Sequence, residues 1–138
     1  MKSLHTLLKI AQRKLDELGI EAARAAREVD ELQQKIAGIR AREQAEIAAA
    51  AANPDYAATL PAYRLRVRWQ VDEIGVVVRA KEAELAEIRE RLSAAYIEKS
   101  KLEQLIEQGR VREETERQAR EQAMLDEVAI NRAGAQGK

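Results

Sequence analysis

Leu4, Leu8, Ala11, Leu15, Leu18, Ala22, Ala25, Val29, Leu32, Ile36 and Ile39 follow one another in alternating steps of four and three, and every one is apolar. An apolar stripe with a mean period of 3.5 residues is the mark of a helix wound left-handedly against a partner helix. Such a stripe has nothing to pack on in an isolated helix, so the first third of the chain demands a second helix. Position a is taken by Leu8, Leu15, Ala22, Val29 and Ile36. The stripe turns charged at Glu43 and Glu46 and gives way to alanines at Ala48–Ala52.

Asn53-Pro54-Asp55 is the main break. Proline lacks the backbone donor and pushes the residue before it out of helical geometry. Thr59 is placed to cap a new helix, with Pro61 tolerated in its first turn. The second repeat runs Val67, Val71, Ile74, Val78, Lys81, Leu85, Ile88, Leu92, Ala95, Lys99, Leu102 and Ile106, broken only by two lysines. Gly109 falls on the next seam position, and the repeat is lost beyond it. Residues 110–123 are almost wholly polar, and a short apolar group follows at Met124, Leu125, Val128, Ala129 and Ile130. The pattern predicts an all-α chain: a two-helix antiparallel coiled-coil hairpin forming a single domain over residues 1–138. Helix 1 is expected over about 3–51, the turn over about 52–58, helix 2 over about 59–131 and a frayed tail over 132–138.

The register follows from the sequence. In an antiparallel pair the numbers of facing seam residues have a constant sum, and a sum of 110 centres the turn on Asp55. Small residues then face large ones, Ala22 opposite Ile88 and Ala25 opposite Leu85, as a seam of constant width requires. Leu18 meets Leu92, Leu32 meets Val78 and Ile36 meets Ile74. Glu46 is expected opposite Arg64, an opposite-charge pair. Lys81 and Lys99 lie beside Val29 and Ala11, where their stems can pack and their ammonium groups reach water. Gly109 comes level with Met1, so residues 110–131 run on past the N-terminus without an intrachain partner.

Composition narrows the function. Only 3% of residues are aromatic and there is no phenylalanine, against 35% charged, which suits a thin helix–helix seam better than a thick globular core. The 24 basic and 24 acidic residues cancel, which argues against a nucleic-acid binder and against a polybasic membrane anchor. No apolar run approaches the ~20 residues of a membrane span. The opening MKSLHTLLKIAQRKLDELG carries Asp16 and Glu17 and continues in register, so it reads as mature structure. With no cysteine there are no disulfides and no thiol nucleophile; His5, the one histidine, falls at e and reads as a surface residue; the six glycines are scattered and make no phosphate loop. Glu113, Glu114 and Glu116 form a charge run without the His or Cys of a metal site. No enzymatic activity, cofactor, metal or small-molecule substrate is expected.

Binding surfaces are expected where apolar residues lie off the seam. With Val67 at d, Trp69 and Val76 occupy f and Leu65 occupies b, all facing away from helix 1. Leu65, Trp69 and Val76 form an outer apolar stripe, flanked by Arg64, Arg66, Arg68 and Arg79. A stripe holding the only tryptophan suits a protein-binding hot spot. The competing reading is that the tip folds back or self-associates and buries it. The group from Met124 to Ile130 suits docking into another protein, against the alternative of an idle frayed end.

These features together resemble the FliJ family, the small coiled-coil component of the bacterial flagellar type III export apparatus; the related injectisome stalk proteins share the architecture. The resemblance rests on the opening MKSLHTLLKIAQRKLDELG, a hairpin of this length, the Ala-rich break, and LDEVAINR at Leu125 to Arg132. It implies a cytoplasmic stalk-like protein, held at the inner membrane only through protein partners. Those partners would be a hexameric export ATPase, the cytoplasmic domain of the export gate, and export chaperones. In that family the end bearing the termini enters the ATPase ring and promotes its assembly, while the central-to-tip region contacts the gate. Leu4, Leu8, Leu125 and Val128 are the expected ring-side residues, and the Trp69 stripe the gate-side surface. The rival is a generic coiled-coil scaffold that uses the stripe to self-associate.

Overall fold

The computed structural model describes residues Lys2 to Gln136. Three helices account for nearly all of them: α1 over Lys2–Ala52, the single turn α2 over Pro54–Ala57, and α3 over Leu60–Gln136. Ala, Leu, Glu, Arg, Lys and Gln dominate both long helices, and these residues lose least on adopting helical geometry. No strand occurs among the described residues. The structure is an all-α coiled-coil hairpin.

The turn is built from its own side chains. Asn53 is extended, with φ −138° and ψ 112°, and its side-chain oxygen accepts from the Asp55 N–H at 3.1 Å, capping α2. Pro54 follows at the first helical position, where a missing N–H costs nothing. Thr59 does not act through its hydroxyl as expected. Its Oγ1 donates backward to the Tyr56 carbonyl at 3.0 Å, and its own carbonyl accepts from the Tyr63 N–H at 3.2 Å to open α3. The Thr59 hydroxyl therefore closes α2 instead of capping α3.

The chain divides into two compact units, one of Leu15–Ala94 and one joining the stretch up to Lys14 with the chain from Ala95 onward. Within the first, Leu18, Ala25, Val29, Val67, Val78, Leu85 and Ile88 are buried. Ala25, Leu85 and Ile88 form one cluster, with Ala22 and Ala26 against it. These are the small-to-large pairs expected from a residue sum of 110. Lys81, at the d position beside Val29, keeps its stem partly covered and sends its Nζ to Glu28 at 2.8 Å and Glu84 at 3.6 Å.

Near the turn the seam departs from the strict heptad. Glu46 and Arg64 are both exposed and make no ion pair with one another. Ile47 and Ala50 on α1, and Leu60 and Tyr63 on α3, are covered in their place. The steps on α1 run 39, 43, 47, 50 and those on α3 run 60, 63, 67, 71, so each helix takes two successive steps of four. That is a stutter, which locally unwinds a left-handed supercoil. The sum of 110 survives it, with Ile47 level with Tyr63 and Ala50 level with Leu60.

In the second unit Ala95 and Leu102 are buried and Leu4, Leu8, Ala11 and Ile106 are half-buried. Lys99 is largely covered, and its Nζ lies 3.5 Å from Glu103 one turn on. Gly109 is half-buried inside α3, which continues through it without interruption. The expected level of Gly109 with Met1 lies outside the described residues. Residues 110–135 are exposed throughout, apart from the half-buried Glu114. The tail expected to fray from 132 is helical up to Gln136, and Gly134 sits in it with no positive φ. Two salt bridges spaced i to i+3 brace the earlier part of this helix, Glu107 to Arg110 and Glu114 to Arg117.

Candidate protein-binding surfaces

The hairpin of Leu15–Ala94 presents the expected stripe to solvent. Leu65, Trp69 and Val76 are 51%, 66% and 59% exposed, a large apolar outlay for side chains of this kind. The spacings of four and seven residues set them along one face of α3, opposite the buried Val67 and Val78. Arg79 lies along this face too: its guanidinium Nη1 comes within 3.7 Å of where a side chain on Gly75 would begin.

Two open grooves flank the seam at the level of Val67, which lines both. The larger, of about 710 Å³, holds Arg40, Arg64 and Arg68 with Glu43, Asp72 and Leu65. The smaller, of about 270 Å³, holds Arg42, Arg66, Tyr63 and Gln70 and no carboxylate. Both lie at the stutter, where a glutamate instead of an apolar residue occupies the seam at Glu43. The arginines beside Trp69 are thus more than a rim. Heptad reasoning missed the grooves because it carried a regular seam to the turn.

In the other unit, Leu125 and Val128 are 64% and 47% exposed and lie one turn apart on α3, with Met124 and Ile130 also exposed. Leu4 and Leu8 lie in the seam instead and are half-buried. The exposed apolar side chains at that end of α1 are Leu7 and Ile10. Leu7 and Leu105 both occupy g, the position that faces its like across an antiparallel seam, and both stand half-open to solvent. Their signal was an apolar residue directly before an a position, overshadowed by the seam residues beside it.

Electrostatics in these regions is local. The Arg110 guanidinium hydrogen-bonds Glu107 and holds its carboxyl below the usual range, and Arg117 does the same for Glu114. Among the described residues no group of His, Cys, Asp or Glu is arranged to hold a metal, and no helix is long and apolar enough to cross a membrane.

A helix–helix seam within each unit, a short capped turn and outer apolar surfaces are the features on which comparison with known proteins bears. The family model described as "Flagellar FliJ protein" matches residues 1–138, the whole chain. The chain belongs to the flagellar FliJ protein family. FliJ membership makes it a component of the flagellar export apparatus, working in flagellum biogenesis and protein export. No curated protein and no solved structure gives a significant match.

Proposed function

We propose that this FliJ-family protein is a stalk that links a hexameric export ATPase ring to the cytoplasmic domain of the export gate and promotes assembly of the ring. The Leu65–Trp69–Val76 stripe serves the gate. The exposed end with Leu125 and Val128, together with Leu4 and Leu8, serves the ring, and export chaperones are further partners. On this reading the protein is cytoplasmic and reaches the inner membrane only through other proteins. One observation supports the proposal: each compact unit exposes apolar side chains of its own, Leu65, Trp69 and Val76 in one and Leu125 and Val128 in the other. Burying a Trp and a Leu side chain accounts for several kcal/mol, at roughly 25 cal/mol per Å².

Trp69→Ala tests the gate side. Affinity for the gate domain should drop by about tenfold or more, with helicity and ATPase binding unchanged. Unchanged gate affinity removes Trp69 from the site. Failure of the wild-type chain to bind either partner leaves only the scaffold reading.

A further inference from the structure

We infer that the two grooves beside Val67 form an arginine collar that takes an acidic, apolar-anchored segment of a partner protein, its carboxylates on the arginines and its apolar side chains over Leu65 and Trp69. The inference rests on the proposal above only in treating Leu65 and Trp69 as a partner surface. Three arginines elsewhere on α3, Arg91, Arg110 and Arg117, each bond a glutamate three or four residues earlier, at 2.6–2.8 Å. Arg64 and Arg66 have no such option, because no acidic residue lies three or four positions to either side of them. Arg68 has Asp72 four residues on, and Arg40 has Glu43 three on, yet neither pair closes. For an arginine preceding its acid this order is the weaker one on a helix.

The result is a concentration of charge in a chain of zero formal net charge. Arg40, Arg42, Arg64, Arg66 and Arg68 line the two grooves against Glu43 and Asp72, leaving three positive charges in excess. All five arginines are exposed. Guanidinium groups present a planar fork of donors that matches a carboxylate. Leu65 lines the larger groove and lies one turn from Trp69, so charge and apolar anchor are continuous. An amphipathic helix with glutamates beside an apolar face meets both demands. The grooves are confined to one level of the hairpin, which fits a short protein segment better than the long backbone of a nucleic acid.

Binding of the full chain should be followed by isothermal titration calorimetry, which reads every variant alike, at low and at high salt. The probes are the gate's cytoplasmic domain, a synthetic amphipathic Leu/Glu helix, and the same peptide with Gln for Glu. The variants are Arg40→Gln/Arg64→Gln/Arg68→Gln, Arg42→Gln/Arg66→Gln and Trp69→Ala; Gln retains helix propensity, and circular dichroism checks the fold. The triple variant should bind the gate domain about tenfold more weakly and lose most of the salt dependence, and the double variant should lose less. Trp69→Ala should weaken binding at every salt concentration alike. A triple variant that binds like the wild type while Trp69→Ala does not overturns the collar and leaves the gate proposal standing. A gate domain that never binds overturns the gate proposal, and the peptides then decide: Glu over Gln by about tenfold, lost in the triple variant, upholds the collar. No preference between the peptides, or no binding of either, overturns it. Displacement of the Glu peptide by a short RNA at equal charge concentration overturns it in favour of a general polyanion site.

Discussion

Lys81 Nζ lies 2.8 Å from Glu28 Oε2 on the facing helix, from a seam position where a coiled coil ordinarily places an apolar residue. The hydrogen bond from Lys81, then its charge, holds the Glu28 carboxyl below its ordinary 4.5, and Glu28 holds the ammonium above its ordinary 10.5. The carboxylate's contribution is complete above pH 4.5 and is lost as pH falls through its lowered folded value. The ammonium's contribution is complete below 10.5 and is lost as pH rises through its raised folded value. Both groups are substantially open to water, so the effect is small and salt-sensitive. Glu28→Gln should flatten the acid limb of the stability profile slightly. Thermal melts of the two proteins from pH 3 to 7 that stay parallel would show that the bridge is not maintained in solution.

Replacing the same lysine by leucine should raise stability. Lys81→Leu exchanges a solvated ammonium for apolar area between Val29 and the flanking Val78 and Leu85, all three of them buried. The melting midpoint should rise by a few degrees at neutral pH. A fall would mean that the seam at this level is too narrow for a branched side chain.

The pairing of Ala25 with Leu85 gives the most direct test of register. Leu85 is 7% exposed and Ala25 4%, in one cluster with Ile88. Leu85→Ala should cost about 2–4 kcal/mol through the cavity it leaves, and Ala25→Leu about 1–3 kcal/mol through overpacking. The double exchange moves the large residue to the other helix at the same level. It should cost at least about 1 kcal/mol less than the two single changes together. Additive costs in urea denaturation would place the two residues out of contact.

Why so much of this was legible lies in the period. Every seam position assigned from Leu4 to Ile39 and from Val67 to Ile106 is buried or half-buried, because a long two-helix seam offers its side chains only one place to hide. The error came at Glu46 and Arg64, where strict heptads were continued through a stutter. Ile47, directly after Glu46, and Tyr63, directly before Arg64, carried the correction, and both obey the same residue sum. Exposure of Leu65, Trp69 and Val76 was likewise readable from positions b and f. The grooves were not, since they depend on how side chains of both helices stand around Glu43 and Val67, which the period of either helix does not give. Nor was the helical stretch past Arg132, because a glycine near a chain end signals a stop only when the backbone takes a positive φ, and Gly134 does not.

Asn53 should matter more than its exposed neighbours. Its side chain supplies the acceptor for the Asp55 N–H and so caps the N-terminus of the turn helix. Asn53→Ala should cost about 1 kcal/mol, and Asn53→Asp should retain most of the cap. Helical content by circular dichroism should be the same in all three proteins, so the loss appears only in the denaturation midpoint. Equal midpoints for Ala and Asn would show that Pro54 alone sets the turn.

Trp69 also separates the stalk from the self-associating scaffold. At 66% exposed, its indole should emit at the wavelength of a solvated tryptophan and be quenched freely by acrylamide. A scaffold that buries Leu65, Trp69 and Val76 against a second copy removes that surface from water, so its emission should shift to the blue as protein concentration rises from the low-micromolar range. For a stalk the emission is independent of concentration and shifts only when a partner is added. Light scattering on the same samples closes the argument, because a dimer whose Trp69 emission is unmoved must join through a different surface, and Leu7, Ile10 and Leu105 become the next to substitute.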